Sequence, residues 1–193
     1  VKNFDLYSWQ NSDEGRAQMM NTMQTAAPDI LCVQEFSSTK TGTTDNLRAL
    51  QQQLQLPYTH HYSLVTLPTG ASFGLATFSR YPIVGKGHID FAATKNACLY
   101  TDILIEQDTI RIYNLHLPSI YLGNEGEDYV QRLLREQDTD VASSRRILHK
   151  LKRGYIHRAP QASTVAAAIR ECPHPVILCG DFNDTPVSYT YHT

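Results

Sequence analysis

Between Pro175 and Pro186 the chain reads Pro-Val-Ile-Leu-Cys-Gly-Asp-Phe-Asn-Asp-Thr-Pro, and no other stretch restricts the fold as strongly. Val176 to Cys179 are four consecutive β-prone apolar residues, the pattern of a strand buried on both faces of a layered α/β protein. Gly180 ends the run. A carboxylate, an aromatic ring, an amide and a second carboxylate follow before Pro186 stops any continuation. Asp181 and Asn183 are thereby delivered at the C-terminal tip of a strand, where layered folds keep their polar chemistry. A carboxylate there can bind a hard cation or take a proton from water, and an amide can donate to a phosphate oxygen. Gly, Asp, Asn and Pro are also the commonest turn residues, so a plain turn accounts for this stretch equally well when it is taken alone.

Two other stretches repeat the design. Pro28-Asp29-Ile30-Leu31-Cys32-Val33-Gln34-Glu35-Phe36 reads as a buried strand ending in the carboxylate of Glu35. Ile110 to Pro118 alternates as a strand and ends in His116, just ahead of a helix-and-strand-breaking proline. A histidine at a strand end is more often structural or solvated than chemical, so His116 gains weight only from its company.

The rest of the chain predicts what carries these three tips. Val1 to Trp9 reads as a strand. Asn11, Ser12 and Asp13 offer caps for a helix through about Ala26, whose Met19, Met20 and Met23 have the spacing of a core-facing stripe. Thr43, Thr44 and Asp45 cap a second helix with Leu47, Leu50 and Leu54 on one face. From Tyr58 to Leu117 the rhythm changes to five strands, Tyr58–Leu67, Phe73–Ser79, Ile83–Phe91, Cys98–Glu106 and Ile110–Leu117, with a hairpin expected at Asp108-Thr109 and a turn at Arg80-Tyr81-Pro82. A charged insertion follows over about 121–157, with Val141, Ile147, Leu148 and Leu151 as the apolar side of a helix. Its cations, among them Arg132, Arg135, Arg145, Arg146, Lys150, Lys152, Arg153 and Arg158, form either a solvated face or a basic wall for phosphate. Helix continues over Gln161 to Arg170.

At 193 residues there is chain for one sizeable core, so a single domain over 1–193 is expected. A net charge of −2 with 19% charged residues excludes a global basic field of the kind that announces sequence-indifferent nucleic-acid binding. Cys32, Cys98, Cys172 and Cys179 contain no Cys-x-x-Cys pair, and three of them sit within apolar runs as small hydrophobes. No run approaches the ~20 apolar residues of a membrane span, and no signal peptide is visible. Val1 opens directly in strand-like sequence, and Thr193 follows closely on the polar loop. Both ends read as cut, and a piece of a longer polypeptide is expected.

Taken together, Glu35, His116, Asp181 and Asn183 are a coherent set for metal-assisted hydrolysis of a phosphate ester. Their motifs, Pro28 to Glu35, Asn114-Leu115-His116 and Gly180-Asp181-Phe182-Asn183, with Gly74 to Ile83 between them, resemble in order and spacing the endonuclease/exonuclease/phosphatase superfamily across essentially the whole chain. The resemblance implies a four-layer αββα sandwich of two mixed sheets packed face to face, here incomplete at both ends. It implies that Glu35 binds the metal, Mg²⁺ or Mn²⁺, and that Asp181 orients or deprotonates the attacking water. Asn183 would orient the phosphate, His116 would stabilise it, and Asn114 would bind substrate or support the site from beside it.

Two departures from the family pattern bear on activity. An Asn expected on the first strand is missing, and so is a final Asp-His pair, so the piece by itself is expected to be weakly active or inactive and the complete protein catalytic. The substrate class is left open between nucleic acid, phospholipid and smaller phosphate esters. Two rivals stand beside this reading. Gly180-Asp181-Phe182-Asn183-Asp184 also fits the Gly-Asp-x-x-Asp motif of calcineurin-like metallophosphoesterases, in which both aspartates ligate metal. A non-catalytic binding module retaining the fold is the other.

Overall fold

A computed structural model describes residues 13–40, 45–91, 94–120 and 141–193. The strand expected over Val1–Trp9, the caps Asn11, Ser12, Thr43 and Thr44, and the charged stretch 121–140 lie outside the described residues. In chain order the elements are α1 (Asp13–Ala26), β1 (Ile30–Ser38), α2 (Asn46–Gln53), β2 (Tyr58–Thr66), β3 (Ser72–Ser79), β4 (Ile83–Asp90), β5 (Ala97–Ile105), β6 (Asp108–His116), α3 (Val141–Arg170), β7 (Val176–Asp181) and α4 (Tyr189–His192). They fall into two compact units, residues 1–116 with 168–181, and residues 117–167 with 182–193.

The first unit holds both sheets. One has the order β1-β3-β2 and is antiparallel throughout its described strands; the other has the order β4-β5-β6-β7 and is mixed, because β7 runs parallel to β6. Arg80-Tyr81-Pro82 therefore does more than turn the chain, carrying it from one sheet to the other. The hairpin between β5 and β6 turns at Glu106-Gln107 instead of Asp108-Thr109, with Glu106 in the left-handed region at φ 56°. Asp108 and Thr109 already pair with Ile105 and Leu104.

Alternation along β1 sorts its side chains between two environments. Leu31, Val33 and Phe36 pack against Met20, Leu50, Leu54 and Leu56, with Met19, Met23 and Leu47 at the margin, so the methionine stripe of α1 is core as its spacing predicted. Removing each such large side chain from water contributes about 1.5–3 kcal/mol. Asp45 caps α2 by accepting from the Arg48 amide at 3.1 Å. Buried Asn46 then ties three elements, donating to Ser37 O and accepting from Arg16 Nε at 2.8 Å each. The other face of β1 looks towards the second sheet. Leu75, Ala97 and Leu99 form an apolar cluster with Tyr62 and Leu64 against it, while buried His60 meets Thr101 Oγ1 through Nδ1 at 2.9 Å and buried Asn114 donates to Ala76 O at 3.0 Å.

Two expectations are corrected here. β7 is an edge strand among the described residues, and Ile177 and Leu178 are 53% and 37% exposed rather than buried on both faces. A four-residue apolar run reports burial propensity, but not which flanks of a strand find neighbours. In α3 the buried line is Gly154, Arg158, Gln161, Ala162 and Val165, while Leu148 is 64% exposed. Half-buried Ile147 and Leu151 lie on that same line, so of these three expected apolar residues Leu148 alone turns outward, and further along the line the polar residue Arg158 takes an inward position.

In the second unit Arg158 leaves the basic face altogether. Its Nε donates to Asp184 Oδ2 at 2.9 Å and its Nη1 to Pro118 O at 3.2 Å, while the guanidinium lies over the Tyr155 ring. Asp184 also accepts from Thr190 Oγ1 at 2.8 Å and from the Thr185 amide at 2.9 Å. Phe182 stacks on Tyr191 with ring centroids 4.5 Å apart.

Candidate active site

Three of the expected site residues come from three strands of the first unit. β6 and β7 run parallel in register from Arg111↔Val176 to His116↔Asp181, so His116 and Asp181 sit side by side at the C-terminal ends of neighbouring strands. Parallel pairing makes this possible, since it brings two C-terminal ends to the same edge of the sheet. Gly180 sets how closely they approach. Its φ is +152°, and a Cβ there would fall onto the Leu115 backbone, against O and within 2.7 Å of N. Glycine is required on both counts.

Glu35 arrives from the facing sheet. It does not end its strand, which continues to Ser38; it sits in a β-bulge. Val33 pairs with Ala76 and Phe36 with Gly74, so Gln34 and Glu35 together face the single residue Leu75. Glu35 carries the irregularity, with φ +51° in the left-handed region. Its Oε1 comes within 4.0 Å of His116 Nε2, and the two side chains are 26% and 15% exposed. The carboxylate is thus sheltered but open to solvent on one side.

Asn114 sits two residues before His116 and is fully buried. Its Nδ2 donates to Ala76 O at 3.0 Å, with Val33 O and Thr77 Oγ1 at 3.4 Å, and its Oδ1 accepts from Gln34 Nε2 at 2.7 Å. Its amide is therefore engaged on both atoms, within the layer between the two sheets. Cys32 Sγ lies 3.9 Å from Thr77 Oγ1, and Cys179 Sγ donates to Tyr113 O at 3.3 Å. The neighbouring Cys179 thiol, with burial second, pushes the Cys32 thiol up, whereas Cys179 is lowered by Cys32 against the opposing effect of burial.

Asn183 belongs to the second unit, where its Nδ2 donates to Leu117 O at 2.8 Å and its φ is +49°. Asp184, in the same loop, is committed to Arg158 and Thr190. Burial alone would raise its pKa, but the Thr190 and Thr185 hydrogen bonds and the Arg158 charge outweigh that and lower it. With one aspartate in a buried ion pair, the two-aspartate centre of a calcineurin-like enzyme does not form at this motif.

Among the described residues no group of three or more His, Cys, Asp or Glu side chains is placed to hold an ion. The donor chemistry nonetheless suits a hard cation: a half-open carboxylate at Glu35, a second carboxylate on the strand beside His116, and oxygen rather than thiolate as the exposed donor. Mg²⁺ keeps several waters and is commonly held by one or two carboxylates together with substrate phosphate oxygens, so a closed protein cage is not what it requires. Sequence reasoning missed Gln34. Its only signal was its place next to the candidate ligand, and regular strand alternation would have turned the two residues to opposite faces.

The fold recurs in solved structures at low sequence identity. A humanized TDP2 of D. rerio aligns over 88% of this chain at 14% identity and a TM-score of 0.56. The catalytic domain of human Nocturnin aligns over 92% at 16% identity and 0.57, and sphingomyelinase C from Streptomyces griseocarneus over 91% at 17% and 0.58. The chain spans 55%, 59% and 60% of those three proteins respectively. No curated protein matches the sequence. The family model for the Endonuclease/Exonuclease/phosphatase family matches residues 9–193. The chain therefore belongs to the endonuclease/exonuclease/phosphatase family, whose members are hydrolases of phosphoester bonds.

Proposed function

We propose that the complete protein hydrolyses a phosphate ester, diester or monoester, by attack of water assisted by Mg²⁺ or Mn²⁺. The observation that carries this reading is the approach of Glu35 to His116 at 4.0 Å, with Asp181 next to His116 at the end of the adjoining parallel strand. Three side chains of complementary chemistry come from three distant parts of the chain: two from adjoining strand ends of one sheet and one from a bulge in the facing sheet.

When bound, the cation supplies Lewis-acid polarisation of a phosphate oxygen and a lowered pKa for water. Glu35 would hold it, because its carboxylate keeps an open side. Asp181 orients the attacking water and takes its proton as the bond to phosphorus forms. His116 donates to a phosphate oxygen and offsets the charge that develops there. Asn183 supplies an amide donor to the phosphate. Asn114, from its buried position, keeps the strand that carries His116 fixed against the facing sheet. The substrate is a phosphate ester, with nucleic acids, phospholipids and smaller esters such as nucleotides or inositol phosphates as the candidate classes.

The test is turnover by the full-length protein on a panel of phosphodiesters and phosphomonoesters. EDTA abolishes hydrolysis, Mg²⁺ restores it, and Glu35→Gln raises the Mg²⁺ concentration needed. Undiminished turnover in EDTA would remove the mechanism. Binding of a phosphate ester with no turnover at any metal concentration would make the protein a binding module.

A further inference from the structure

The bulge in β1 poses a physical question that the proposed chemistry does not answer. In a regular strand Glu35 would follow Val33 onto the face that packs against Met20 and Leu50, burying a carboxylate among apolar side chains. The bulge turns it instead towards His116, at the cost of a left-handed backbone at a non-glycine residue, on the order of 1–2 kcal/mol. Such a conformation persists where its surroundings over-determine it.

The residues on either side do so. Phe36, immediately after, is fully buried in the helix-side core. Gln34, immediately before, faces the opposite way and crosses to the second sheet, where its Nε2 donates to Asn114 Oδ1 at 2.7 Å. Asn114 is a fixed acceptor, since its own amide is spent on Ala76 O and lies near Val33 O and Thr77 Oγ1, the backbone and side chains that flank the bulge. Asn114 and His116, at i and i+2 on β6, project from the same face. One hydrogen bond therefore links the residue before Glu35 to the strand that carries His116.

We propose that Gln34 is a positioning residue: its hydrogen bond to Asn114 across the two sheets holds the bulge that presents the Glu35 carboxylate beside His116. Glu35 is pinned by an apolar anchor after it and a polar anchor before it, and only the polar one is tied to the other half of the site. The inference rests on the reading of Glu35 as the metal-binding residue. Partners one step removed from a metal ligand typically change affinity by ~10–100-fold when lost.

The test compares wild-type full-length protein with Gln34→Met, which keeps length and removes the donor, and with Glu35→Gln. Mn²⁺ binding is followed by the electron paramagnetic resonance signal of the free ion, and a crystal structure of each reports the Glu35 backbone. Gln34→Met is expected to weaken Mn²⁺ binding by ~10–100-fold, to raise the Mg²⁺ requirement while saturating Mg²⁺ recovers most of kcat, and to move the Glu35 carboxylate away from His116. A purely structural role would lower the unfolding midpoint and leave Mn²⁺ affinity as in wild type, which overturns the proposal. If wild type shows no Glu35-dependent Mn²⁺ binding, the proposed function falls. The crystal structures then decide the positioning role alone: a bulge and a Glu35–His116 approach retained in Gln34→Met refute it, and their loss upholds it. Should Gln34→Met not fold, Gln34→Asn, shorter by one methylene with the amide kept, takes its place under the same criteria.

Discussion

Arg158 Nε and Asp184 Oδ2 stand 2.9 Å apart with both side chains 1% exposed, so the second carboxylate of Gly-Asp-Phe-Asn-Asp is spent on a buried ion pair. Asp181, three residues earlier, lies beside His116 at a strand end. The two aspartates should therefore fail in different ways.

Asp184→Asn, or Arg158→Met, leaves one buried charge uncompensated and is expected to cost ~3–5 kcal/mol in urea unfolding of the full-length protein. Activity per folded molecule should change little. Asp181→Asn should lower kcat by ~10²–10⁴-fold, the usual worth of a general base, with KM and stability close to wild type. Equal, severe losses of rate and of bound metal at both positions would point to a two-aspartate metal centre.

Acid should destabilise the first unit before the carboxylates titrate. His60 is held neutral, its pKa lowered from 6.5 to about 4 by burial first and then by the charges of Lys86, His88 and His61. His61 is lowered too, by burial. The unfolded chain binds the extra protons, so stability is complete above pH 6.5 and falls as pH drops towards 4, by up to about 3 kcal/mol for His60. Urea midpoints measured from pH 7.5 to 4.5 should show this slope, and His60→Asn should flatten it. A midpoint independent of pH across that window would refute the assignment.

Asp184 acts lower on the scale. Its pKa is depressed, so its contribution is full above about pH 4 and is lost as pH falls through the folded value. Asp184→Asn should remove the part of the acid transition that lies below about pH 4 and leave the histidine slope unchanged.

Gly180→Ala should be among the most damaging single-methyl changes in the chain. The added Cβ meets the Leu115 backbone of β6, and φ +152° is a region that other residues avoid. We expect a loss of at least about 2 kcal/mol in unfolding free energy and a fall in kcat, because Asp181 is the next residue. Wild-type stability in this variant would mean that β7 does not pair with β6 as described.

Much of the local structure was legible in the sequence. The five strands between Tyr58 and Leu117 have observed ends within two residues of those expected, because Pro57, Pro82 and the Gly- and Ser-bearing turns interrupt alternation where strands must stop. The helix stripe of Met19, Met20 and Met23 and the Asp45 cap follow from spacing alone. The hairpin moved by two residues because Glu106, not a usual turn residue, adopts the left-handed conformation.

Strand tips bearing His116 and Asp181, and a strand carrying Glu35 within it, were determined by the sequence itself, since the alternation of apolar runs with polar stops is a short-range property. Tertiary structure alone decided that Glu35 approaches His116 and that His116 and Asp181 are register partners: Arg80-Tyr81-Pro82 switches sheets instead of closing a hairpin, β7 pairs parallel to β6, and a bulge reverses Glu35 towards His116. The same holds for Arg158, which helical periodicity alone leaves on a basic face and which a carboxylate 26 positions away draws inside. Each of these outcomes depends on contacts between residues far apart in the chain, whose energies set backbone conformation and side-chain direction against the local pattern. No local pattern encodes the partner.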